Sequence, residues 1–437
     1  MTEWDYVFVG AGIFGVSAAK NLIERRPNSK ILLIDKYSTS GQGNTIKSNA
    51  CYRNVFETEI NINLCNSSID YFKHVENSEK TNLDLKDIGY LWLLTQAQME
   101  SRMEETISVG SKDKKISLIE FLKLNNVEYA IYSKNELQQM LPSLKMTFGD
   151  QIKDDGINFP IKNIEFGLLG KNCGSLSPDL LVRHYESKFK EMGGSCLYDT
   201  EVTELLLKEK GQPLDEDFFP TVWRDMEIGG LKIRNLDTDE VTLIESKNYI
   251  MTTGAWVNQL LEPLGIRTWV KSKKRQLFRI LNMENLVKNS HFDNRFNTFP
   301  FIILPVGGVF MKPIPDAMSI DVGCSDDIGR RFETRVPEGI PNDTLENPLL
   351  DNPSAEIDFY LTNVLPVLNQ YFPTEIDETS KLEKPSAGMY AYSIDKSPVI
   401  EHVKKLGNLY FSSGGSGSGI MKADSMGKIL TSLILDE

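Results

Sequence analysis

The chain has 437 residues, of which 41% are hydrophobic and 25% charged, and its formal net charge is −13 at pH 7. Its length predicts about two or three domains, and its composition excludes a disordered chain, a collagen and a coiled coil. The acidic balance disfavours nucleic acid and anionic membranes as partners. The longest uncharged runs span 16 residues. Because a membrane-spanning helix needs roughly 20, we expect no integral membrane segment.

The five cysteines and four histidines are scattered along the chain without CxxC, HxH or HExxH spacing. This distribution predicts neither a disulfide framework nor a metal site, and it fits a reducing compartment. The opening residues include Glu3 and Asp5 rather than the lysines or arginines of a signal peptide. We therefore expect a cytoplasmic protein.

The first elements in chain order are a strand, a tight turn and a helix. Residues 6–9 are a short apolar run, residues 10–15 contain three glycines, and small apolar residues continue to Arg26. This pattern is typical of a strand that turns directly into a helix. A second apolar run, Ile31–Ile34, ends at Asp35. Two buried parallel strands joined by a helix make a βαβ unit.

The later elements follow from apolar periodicity and from capping and turn residues. We predict helices at residues 57–74, 135–141, 178–192 and 420–435, and strands at residues 89–95, 196–207, 249–251 and 409–411. The charged, turn-rich residues 208–230 are predicted to form a surface excursion, and the Gly/Ser residues 412–419 a loop.

The N-terminal glycines predict a dinucleotide site. Gly10 permits the tight turn, Gly12 lets the backbone approach a diphosphate, and Gly15 lets helix and strand pack closely. The helix N-terminus then offers free N–H groups and a partial positive charge. Asp35 lies 20 residues beyond Gly15, where a carboxylate accepts hydrogen bonds from ribose hydroxyls and disfavours the 2′-phosphate of NADP. The alternative is a glycine-rich turn in an ordinary α/β protein.

A second glycine-rich segment, residues 413–420, lies between an apolar strand and an apolar helix. This placement points another helix N-terminus at the nucleotide-binding layer, where its positive end would stabilise negative charge on a reduced flavin. The alternative is a flexible linker to a C-terminal helix. A nicotinamide dehydrogenase would need only the first glycine motif and would leave this segment without a role.

Five segments together carry a resemblance to a known family. In chain order they are VGAGIFG at residues 9–15, GSLSPD at 174–179, TTGAW at 252–256, AGMYAYSID at 387–395 and NLYFSSGGSGSGIMKADSMG at 408–427. Over nearly its whole length the chain resembles the FAD-dependent oxidoreductases of the D-amino-acid oxidase, glycine oxidase and monomeric sarcosine oxidase family. The last segment is especially similar to the FAD-dependent oxidoreductase-domain proteins linked to respiratory complex I assembly.

The resemblance implies an α/β fold with an α+β substrate domain. A Rossmann-like FAD-binding domain would be built from three segments, residues 1–90, 160–255 and 385–437. A substrate domain with a mixed sheet, residues 91–159 and 256–384, would be inserted between them.

The resemblance also implies which residues contact the cofactor. The positions that match or adjoin the family's FAD-binding motifs are Gly10, Gly12, Ile13, Phe14, Gly15, Asp35, Lys36, Gly43, Asn44, Thr45, Val202, Thr253, Gly254, Trp256, Gly388, Gly415, Gly417, Gly419 and Ile420. Gly388 stands where covalent sarcosine oxidases carry a flavin-linking cysteine, so we expect non-covalent FAD.

Two departures from the family pattern bear on activity. Where relatives carry a lysine thought to assist the reaction with oxygen, the register of residues 318–324 puts Asp321. Because a carboxylate would not stabilise superoxide-like charge, we expect a dehydrogenase rather than a fast oxidase. The family's carboxylate-binding lysine falls on Met421. Lys422 is one residue further, roughly 100° around a helix, and we do not assign it that role.

Three residues are candidates for contact with substrate. Arg53 follows the predicted flavin loop, and a bidentate arginine suits a substrate carboxylate; the alternative is a surface arginine. Arg275 is the second candidate; the alternative is an arginine on a solvated strand edge. Tyr390 matches an active-site tyrosine position of the family and would bond substrate or shape an aromatic wall. Trp92 is expected to lie in the core.

The predicted reaction transfers hydride to flavin N5 from a small carboxylate-bearing substrate: an amino acid, an N-substituted amino acid or a related amine. The protein would orient the C–H bond toward the cofactor. Two alternatives stay open, a 2-hydroxy-acid dehydrogenase and an FAD-stabilised assembly or scaffold protein without turnover. The electron acceptor, whether a quinone, a dye or oxygen, is open as well.

Overall fold

The computed structural model describes residues 4–104, 107–109, 114–149, 160–215, 224–325, 351–383 and 385–437. The strands are β1 (Trp4–Val9), β2 (Ile31–Ile34), β3 (Cys51–Tyr52), β4 (Tyr90–Leu94), β5 (Ile107–Val109), β6 (Lys114–Ile116), β7 (Tyr129–Ser133), β8 (Phe166–Gly170), β9 (Gly174–Ser175), β10 (Ser195–Leu197), β11 (Thr200–Glu209), β12 (Met226–Asn235), β13 (Val241–Ile244), β14 (Ser246–Met251), β15 (Val270–Ile280), β16 (Phe301–Ile303), β17 (Val309–Ile314), β18 (Ser319–Cys324), β19 (Ser386–Ser393), β20 (Val399–His402) and β21 (Leu409–Ser413). The helices are α1 (Ile13–Arg25), α2 (Glu59–Asn77), α3 (Gln96–Glu104), α4 (Leu118–Leu124), α5 (Lys134–Met140), α6 (Pro178–Glu191), α7 (Val257–Leu261), α8 (Glu284–Lys288), α9 (Ile357–Phe359), α10 (Leu365–Tyr371) and α11 (Ala423–Leu435).

The N-terminal βαβ unit has the predicted form. β1 and β2 are parallel, with Val7 opposite Leu32, and both side chains are buried. α1 begins at Ile13, directly after the glycine turn, and ends before Pro27, because proline cannot continue a helix.

A six-stranded sheet has the order β10–β2–β1–β14–β21–β20. Its neighbouring strands are parallel, except that β20 runs antiparallel to β21. The carboxyl ends of the parallel strands therefore lie along one edge, which is where open α/β sheets bind ligands. The residues that follow four of these strands meet at this edge: Gly10, Asp35, Thr252 and Gly414.

An eight-stranded sheet has the order β19–β15–β18–β17–β16–β4–β8–β7, and among its described pairs only β4 and β16 are parallel. One face carries an apolar core that includes Leu91 and Ile302, both fully buried. Because side chains alternate along a strand, Tyr90 and Phe301 point to the opposite face. That second face borders the candidate site.

Residues 208–230 differ from the predicted surface excursion. β11 continues to Glu209, and β12 begins at Met226, directly opposite it. Ile228, Leu231 and Ile233 face an apolar cluster beneath this antiparallel sheet of β11, β12 and β13. The charged residues of this segment thus lie on the outer side of two paired strands, which form backbone hydrogen bonds with each other. Residues 216–223 lie outside the described part of the chain.

The predicted mixed α/β fold is confirmed, whereas the predicted domain boundaries stay a prediction. The six-stranded sheet takes its strands from the three segments expected to bind FAD. β8 and β19 also fall in those segments, yet both pair into the eight-stranded sheet, β19 through eight residue pairs with β15. Parts of the expected substrate segments, including residues 150–159 and 326–350, lie outside the described residues.

Within the described ranges, no helix combines the length and the apolar character needed to cross a bilayer.

Candidate functional site

A cavity of about 800 Å³ begins at the carboxyl edge of the six-stranded sheet and reaches one face of the eight-stranded sheet. Most residues predicted to contact FAD line it: Gly10, Gly12, Ile13, Phe14, Asp35, Lys36, Gly43, Asn44, Thr45, Val202, Thr253, Gly254, Trp256, Gly415, Gly417, Gly419 and Ile420. Gly15 and Gly388 are not part of its lining. Three distant stretches of the chain therefore converge on one space.

Backbone geometry accounts for the two outer glycines of the first motif. Gly10 has φ +101°, and a Cβ there would lie 2.8 Å from the carbonyl oxygen of Thr252. A Cβ on Gly15 would lie 2.0 Å from the carbonyl oxygen of Gly10. α1 therefore approaches β1 this closely only because residue 15 is glycine, so Gly15 shapes the cavity through packing.

The N-terminus of α1 faces the cavity and has no capping side chain at Gly12. Gly12 is the N-cap and offers no side chain, and the first turn contains no acidic residue. The Ile13 N–H donates to Thr45 Oγ1 at 3.1 Å. Because the first N–H groups of a helix have no acceptor within the helix, this end suits a diphosphate.

Asp35 lies beside this helix end. Its Oδ2 accepts the Ala11 N–H at 2.6 Å, and its Oδ1 accepts the Tyr37 N–H at 3.0 Å. Burial raises the pKa of the carboxyl. Each oxygen keeps a lone pair for a ribose hydroxyl. We call this part of the cavity the nucleotide end; it is lined by Gly10, Gly12, Asp35, Val202 and Thr253.

The loop of residues 43–45 is tied to β19. The Asn44 side chain donates to the carbonyl of Met389 and accepts the Met389 N–H at 2.7 Å. A Cβ on Gly388 would lie 3.2 Å from Asn44 Oδ1. Gly388 therefore supports this loop from behind instead of facing the cavity.

The glycine-rich loop after β21 packs tightly against the other two segments. Gly417 has φ +79°, and a Cβ there would lie 2.9 Å from Cε2 of Tyr390. A Cβ on Gly419 would lie 3.0 Å from Cζ of Phe14. These close contacts make the loop a fixed part of the wall, in contrast to the alternative of a flexible linker.

Several buried polar atoms of the cavity wall have no hydrogen-bond partner among the described residues. They are Asn49 Oδ1, Asn61 Oδ1, Thr253 Oγ1 and Trp256 Nε1. Leaving such an atom without a partner costs about 1–3 kcal/mol, and a bound ligand would remove that cost. Together with the helix end and Asp35, these atoms fit FAD, which brings a diphosphate, ribose hydroxyls and a polar flavin edge.

Arg53 lies in the wall within an aromatic cage. Its guanidinium carbon is 4.0 Å from the ring centre of Phe56. It is 5.6 and 5.4 Å from the ring centres of Tyr90 and Trp92. Nη1 donates to the carbonyl of Val55, and no carboxylate in the described part of the chain forms an ion pair with Arg53. A cation held by rings without an acidic partner keeps donors for a ligand carboxylate.

The other two predicted substrate residues have different positions. Tyr390 lines the cavity, and burial raises its pKa to about 12, so its hydroxyl stays protonated at neutral pH. Arg275 is buried behind the wall, where Nη2 and Nε donate to the hydroxyl of Tyr392 at 2.8 and 3.2 Å. Since Tyr392 lines the cavity and Arg275 does not, Arg275 is placed to hold a wall residue instead of a substrate.

Sequence reasoning missed the aromatic part of the wall. Trp92, expected in the core, is half-buried and lines the cavity together with Tyr90, Phe301 and Phe310. A usable signal is the two-residue spacing of Tyr90 and Trp92 in a predicted strand, since residues i and i+2 share a face.

Asp321, which the sequence places where relatives carry a lysine, has two basic residues among its neighbours. Both of its carboxylate oxygens accept from Arg279, at 2.7 and 3.1 Å. Opposite Asp321 on β17 is Lys312, a buried residue whose Nζ donates to the carbonyl of Asn49 at 2.8 Å. Asn49 lines the cavity, whereas Asp321 and Lys312 do not. The negative charge is therefore paired, and a lysine lies behind the wall.

Lys422 is fully buried but does not line the cavity. Its Nζ has no hydrogen-bond partner among the described residues and lies 5.1 Å from the ring centre of Phe56. Burial, with a smaller effect of the nearby Arg53, lowers its pKa to about 8. This position agrees with leaving the family's carboxylate-binding role unassigned to Lys422.

Comparison with known sequences gives a consistent picture. The profile of the family described as FAD dependent oxidoreductase matches residues 5–433. FAD-dependent oxidoreductase domain-containing protein 1 of Xenopus laevis is 22% identical over 99% of this chain and 79% of its own length. The peroxisomal sarcosine oxidase of Homo sapiens is 21% identical over 98% of this chain and 92% of its own length.

A solved structure shares the fold. L-proline dehydrogenase from P. horikoshii superimposes with a TM-score of 0.71 at 21% identity, over 99% of this chain and 94% of that chain. At this level of identity the likeness shows the mixed α/β fold. Because the human relative is named as peroxisomal, the cytoplasmic location stays a prediction.

Proposed function

Since this chain belongs to the FAD dependent oxidoreductase family, we propose that it removes hydride from an amino acid, an N-substituted amino acid or a related amine. The protein is an FAD-dependent oxidoreductase, and the amino-acid-oxidising type is part of the proposal. The observation that supports the proposed substrate class is Arg53, a caged cation in the cavity wall that has no carboxylate partner among the described residues.

The residues that would hold FAD lie along one side of the cavity. The nucleotide end would take the ADP part, with the diphosphate at the N-terminus of α1 and a ribose on Asp35. The loops at residues 43–45 and 413–420 would flank the isoalloxazine. When bound, FAD supplies the acceptor for a hydride.

A non-covalent mode of FAD binding is part of the proposal. Among the described residues, Cys51 is the cysteine that lines the cavity. Burial raises the pKa of its thiol to about 11. Because the thiolate is the nucleophile, Cys51 stays unreactive at neutral pH, and Gly388 offers no side chain for a link.

The chain's own residues would orient the substrate. Arg53 would hold its carboxylate through paired hydrogen bonds, and the protonated hydroxyl of Tyr390 would donate a further one. The reacting form of the substrate would be the neutral amine, left when its ammonium group has lost a proton. As its α C–H bond breaks, both bonding electrons would leave with the hydrogen as hydride, and the nitrogen lone pair would form the C=N bond of an iminium ion. Fixing the C–H bond in the correct direction is the main contribution that the protein makes.

We propose a dehydrogenase instead of a fast oxidase. Lys312 uses Nζ to hold the carbonyl of Asn49 and stays behind the wall, and Asp321 is paired with Arg279. Neither side chain offers the cavity an exposed positive charge of the kind that would stabilise superoxide. Reoxidation of the reduced protein should therefore be faster with a quinone or a dye than with air.

Anaerobic mixing of the FAD-loaded protein with amino acids, N-methyl amino acids and 2-hydroxy acids tests the reaction. We expect amines to abolish the visible absorption of oxidised flavin. Arg53→Met should raise the substrate concentration for half-maximal reduction by about 100-fold or more, because a buried charge-assisted pair is lost. Arg183→Met is the control, since Arg183 lies exposed on α6.

Each outcome of this experiment has a distinct meaning. If only 2-hydroxy acids reduce the flavin, the substrate class is a 2-hydroxy acid and not an amine, and Arg53 remains the proposed ligand of its carboxylate. An equal response of the Arg53 and Arg183 variants would remove Arg53 from the substrate site. No reduction by any compound would reject turnover and favour the assembly or scaffold alternative.

A further inference from the structure

One part of the cavity lies on the face of the eight-stranded sheet that points away from its apolar core. In this sheet Phe301 is opposite Tyr90, and Ile303 is opposite both Trp92 and Phe310. Paired residues of neighbouring strands point to the same face. We call this region the aromatic lobe; its residues are Phe56, Tyr90, Trp92, Phe301, Ile303 and Phe310.

Four rings of the aromatic lobe form a continuous series of contacts. The ring centre of Phe301 is 4.2 Å from that of Tyr90 and 5.3 Å from that of Phe310. The ring centres of Tyr90 and Trp92 are 4.5 Å apart. Trp92, Ile303 and Phe310 pack against a core cluster on one side and line the cavity on the other. Apolar surface that faces an internal cavity favours an apolar group of a ligand.

Arg53 joins the aromatic lobe to the proposed carboxylate site. Its guanidinium carbon is 4.0 Å from the ring centre of Phe56 and 5.4 Å from that of Trp92. The α-carbon of a substrate is bonded directly to its carboxylate. A carboxylate held by Arg53 therefore brings the substituent on the α-carbon against the rings of the lobe.

Arg102 is a second arginine that lines the cavity. Its Nη1 lies 3.5 Å from the carbonyl oxygen of Gln98. Because Arg102 carries a positive charge, amino acids with a second carboxylate belong in the test. The aromatic lobe itself contributes six residues to the lining, and none of them carries a charge.

We propose that the substrate is an α-amino acid with a bulky apolar side chain, of the size of leucine or phenylalanine, and that the aromatic lobe selects it. This inference rests on the proposed function, since it assigns the side-chain subsite of the same reaction. Glycine and sarcosine carry no side chain to fill the lobe, and aspartate and glutamate would place a charge against its rings.

The first experiment measures anaerobic flavin reduction by leucine, phenylalanine, glycine, sarcosine and glutamate, with both enantiomers and N-methyl forms where they exist. The concentration for half-maximal reduction should be at least about tenfold lower for leucine and phenylalanine than for glycine, because each buried methylene group discriminates by about tenfold or more. Preference for glycine or sarcosine would overturn the inference, and so would preference for glutamate.

A pair of variants links the preference to the lobe. Phe310→Ala removes a half-buried ring from the cavity wall, and Ile131→Ala removes an exposed side chain from edge strand β7 of the same sheet. Phe310→Ala should reduce the preference for phenylalanine over glycine by about tenfold, whereas Ile131→Ala should leave it unchanged. If the two variants keep the same preference, the lobe is not the selecting surface.

Binding of carboxylates that cannot be oxidised separates this inference from the proposed function. Acetate, phenylacetate and succinate are titrated against the oxidised holoprotein, and the shift of the flavin spectrum is recorded. Phenylacetate should bind at least about tenfold more tightly than acetate or succinate. That result without reduction by any amine would overturn the proposed function and keep the ligand class. Equal binding of the three carboxylates, together with flavin reduction by amines, would overturn the apolar selectivity of the lobe and keep the proposed function.

Discussion

The nucleotide end and the aromatic lobe are two parts of one cavity that are built in different ways. The nucleotide end consists largely of backbone: glycines, a helix N-terminus and the carboxylate of Asp35, which comes from the same βαβ unit. The aromatic lobe consists of side chains that β4, β16, β17 and the loop before α2 bring together. At Gly10 and Gly15 the backbone leaves no room for an added Cβ, whereas a wall made of side chains changes one residue at a time. The cofactor end is therefore constrained, and specificity is free to change in the lobe.

The contrast makes Gly15→Ala the most disruptive substitution that we predict. The new Cβ would lie 2.0 Å from the carbonyl oxygen of Gly10 and 2.8 Å from Thr252 Oγ1. α1 must then move away from β1, at a cost of about 3 kcal/mol or more, and its N-terminus moves with it. We expect a lower melting temperature for the apoprotein and no bound flavin after purification.

Gly149→Ala is the matched control for Gly15→Ala. Gly149 is exposed, and a Cβ there would meet no atom within 4 Å. The control should keep the flavin content and melting temperature of the wild type. A yellow Gly15→Ala protein with unchanged stability would show that this close approach is not required, and it would weaken the distinction between the two regions.

The same contrast explains how much of the molecule the sequence could reveal. Gly10, Gly12, Gly15 and Asp35 lie within one βαβ unit, so their spacing alone predicts their arrangement. The lobe could not be found in this way, because Tyr90 and Phe301 become neighbours only through the parallel pairing of two distant strands. Arg275 shows a second limit: alternation along β15 tells which residues share a face, but not which face meets the cavity.

The pairing of charges could not be predicted from the sequence either, as the region around Asp321 shows. The sequence places a carboxylate at that position, but its neutralisation by Arg279 and the buried Lys312 opposite it depend on strand register. Likewise, helix geometry indicates that Lys422 points away from the expected direction, but not that it is fully buried without a hydrogen-bond partner in the described structure. Such features come from tertiary packing, which a single sequence does not encode in any local pattern.

Lys422→Met should stabilise the protein, which would show that a buried side chain behind Phe56 of the aromatic lobe is replaceable, unlike Gly15 at the cofactor end. Burial lowers the pKa of Lys422 from the ordinary 10.5 to about 8. One pKa unit corresponds to about 1.4 kcal/mol, so the buried ammonium costs the folded state roughly 3 kcal/mol at neutral pH. Methionine has a similar volume and no charge, and it removes this cost.

The pH dependence of stability gives the sign a second check. Because the folded pKa lies below the unfolded one, the cost is complete below about pH 8 and disappears as the pH rises to 10.5. Over this pH range the free energy of unfolding of the wild type should therefore rise relative to that of Lys422→Met, so that the stability advantage of the variant becomes smaller. Thermal unfolding at pH 7 and pH 9.5 measures both, with exposed Lys123→Met as the control. A variant less stable than the wild type at pH 7 would mean that the amine has a stabilising partner, such as a bound ligand.

Gly12→Ala separates the two tasks that glycine performs at the nucleotide end. A Cβ on Gly12 would meet only Thr45 Oγ1, at an ordinary 3.5 Å. The stability of the apoprotein should therefore change by no more than about 1 kcal/mol, the usual difference between glycine and alanine at an N-cap. If the FAD diphosphate lies against this backbone, the added methyl group should weaken FAD binding by about 10-fold to 100-fold, or about 1.4–2.8 kcal/mol. Flavin fluorescence during titration of the apoprotein measures the affinity. Within the protein the added methyl group has room, so only a ligand lying against Gly12 would be disturbed by it. Wild-type affinity in Gly12→Ala would therefore place the diphosphate elsewhere.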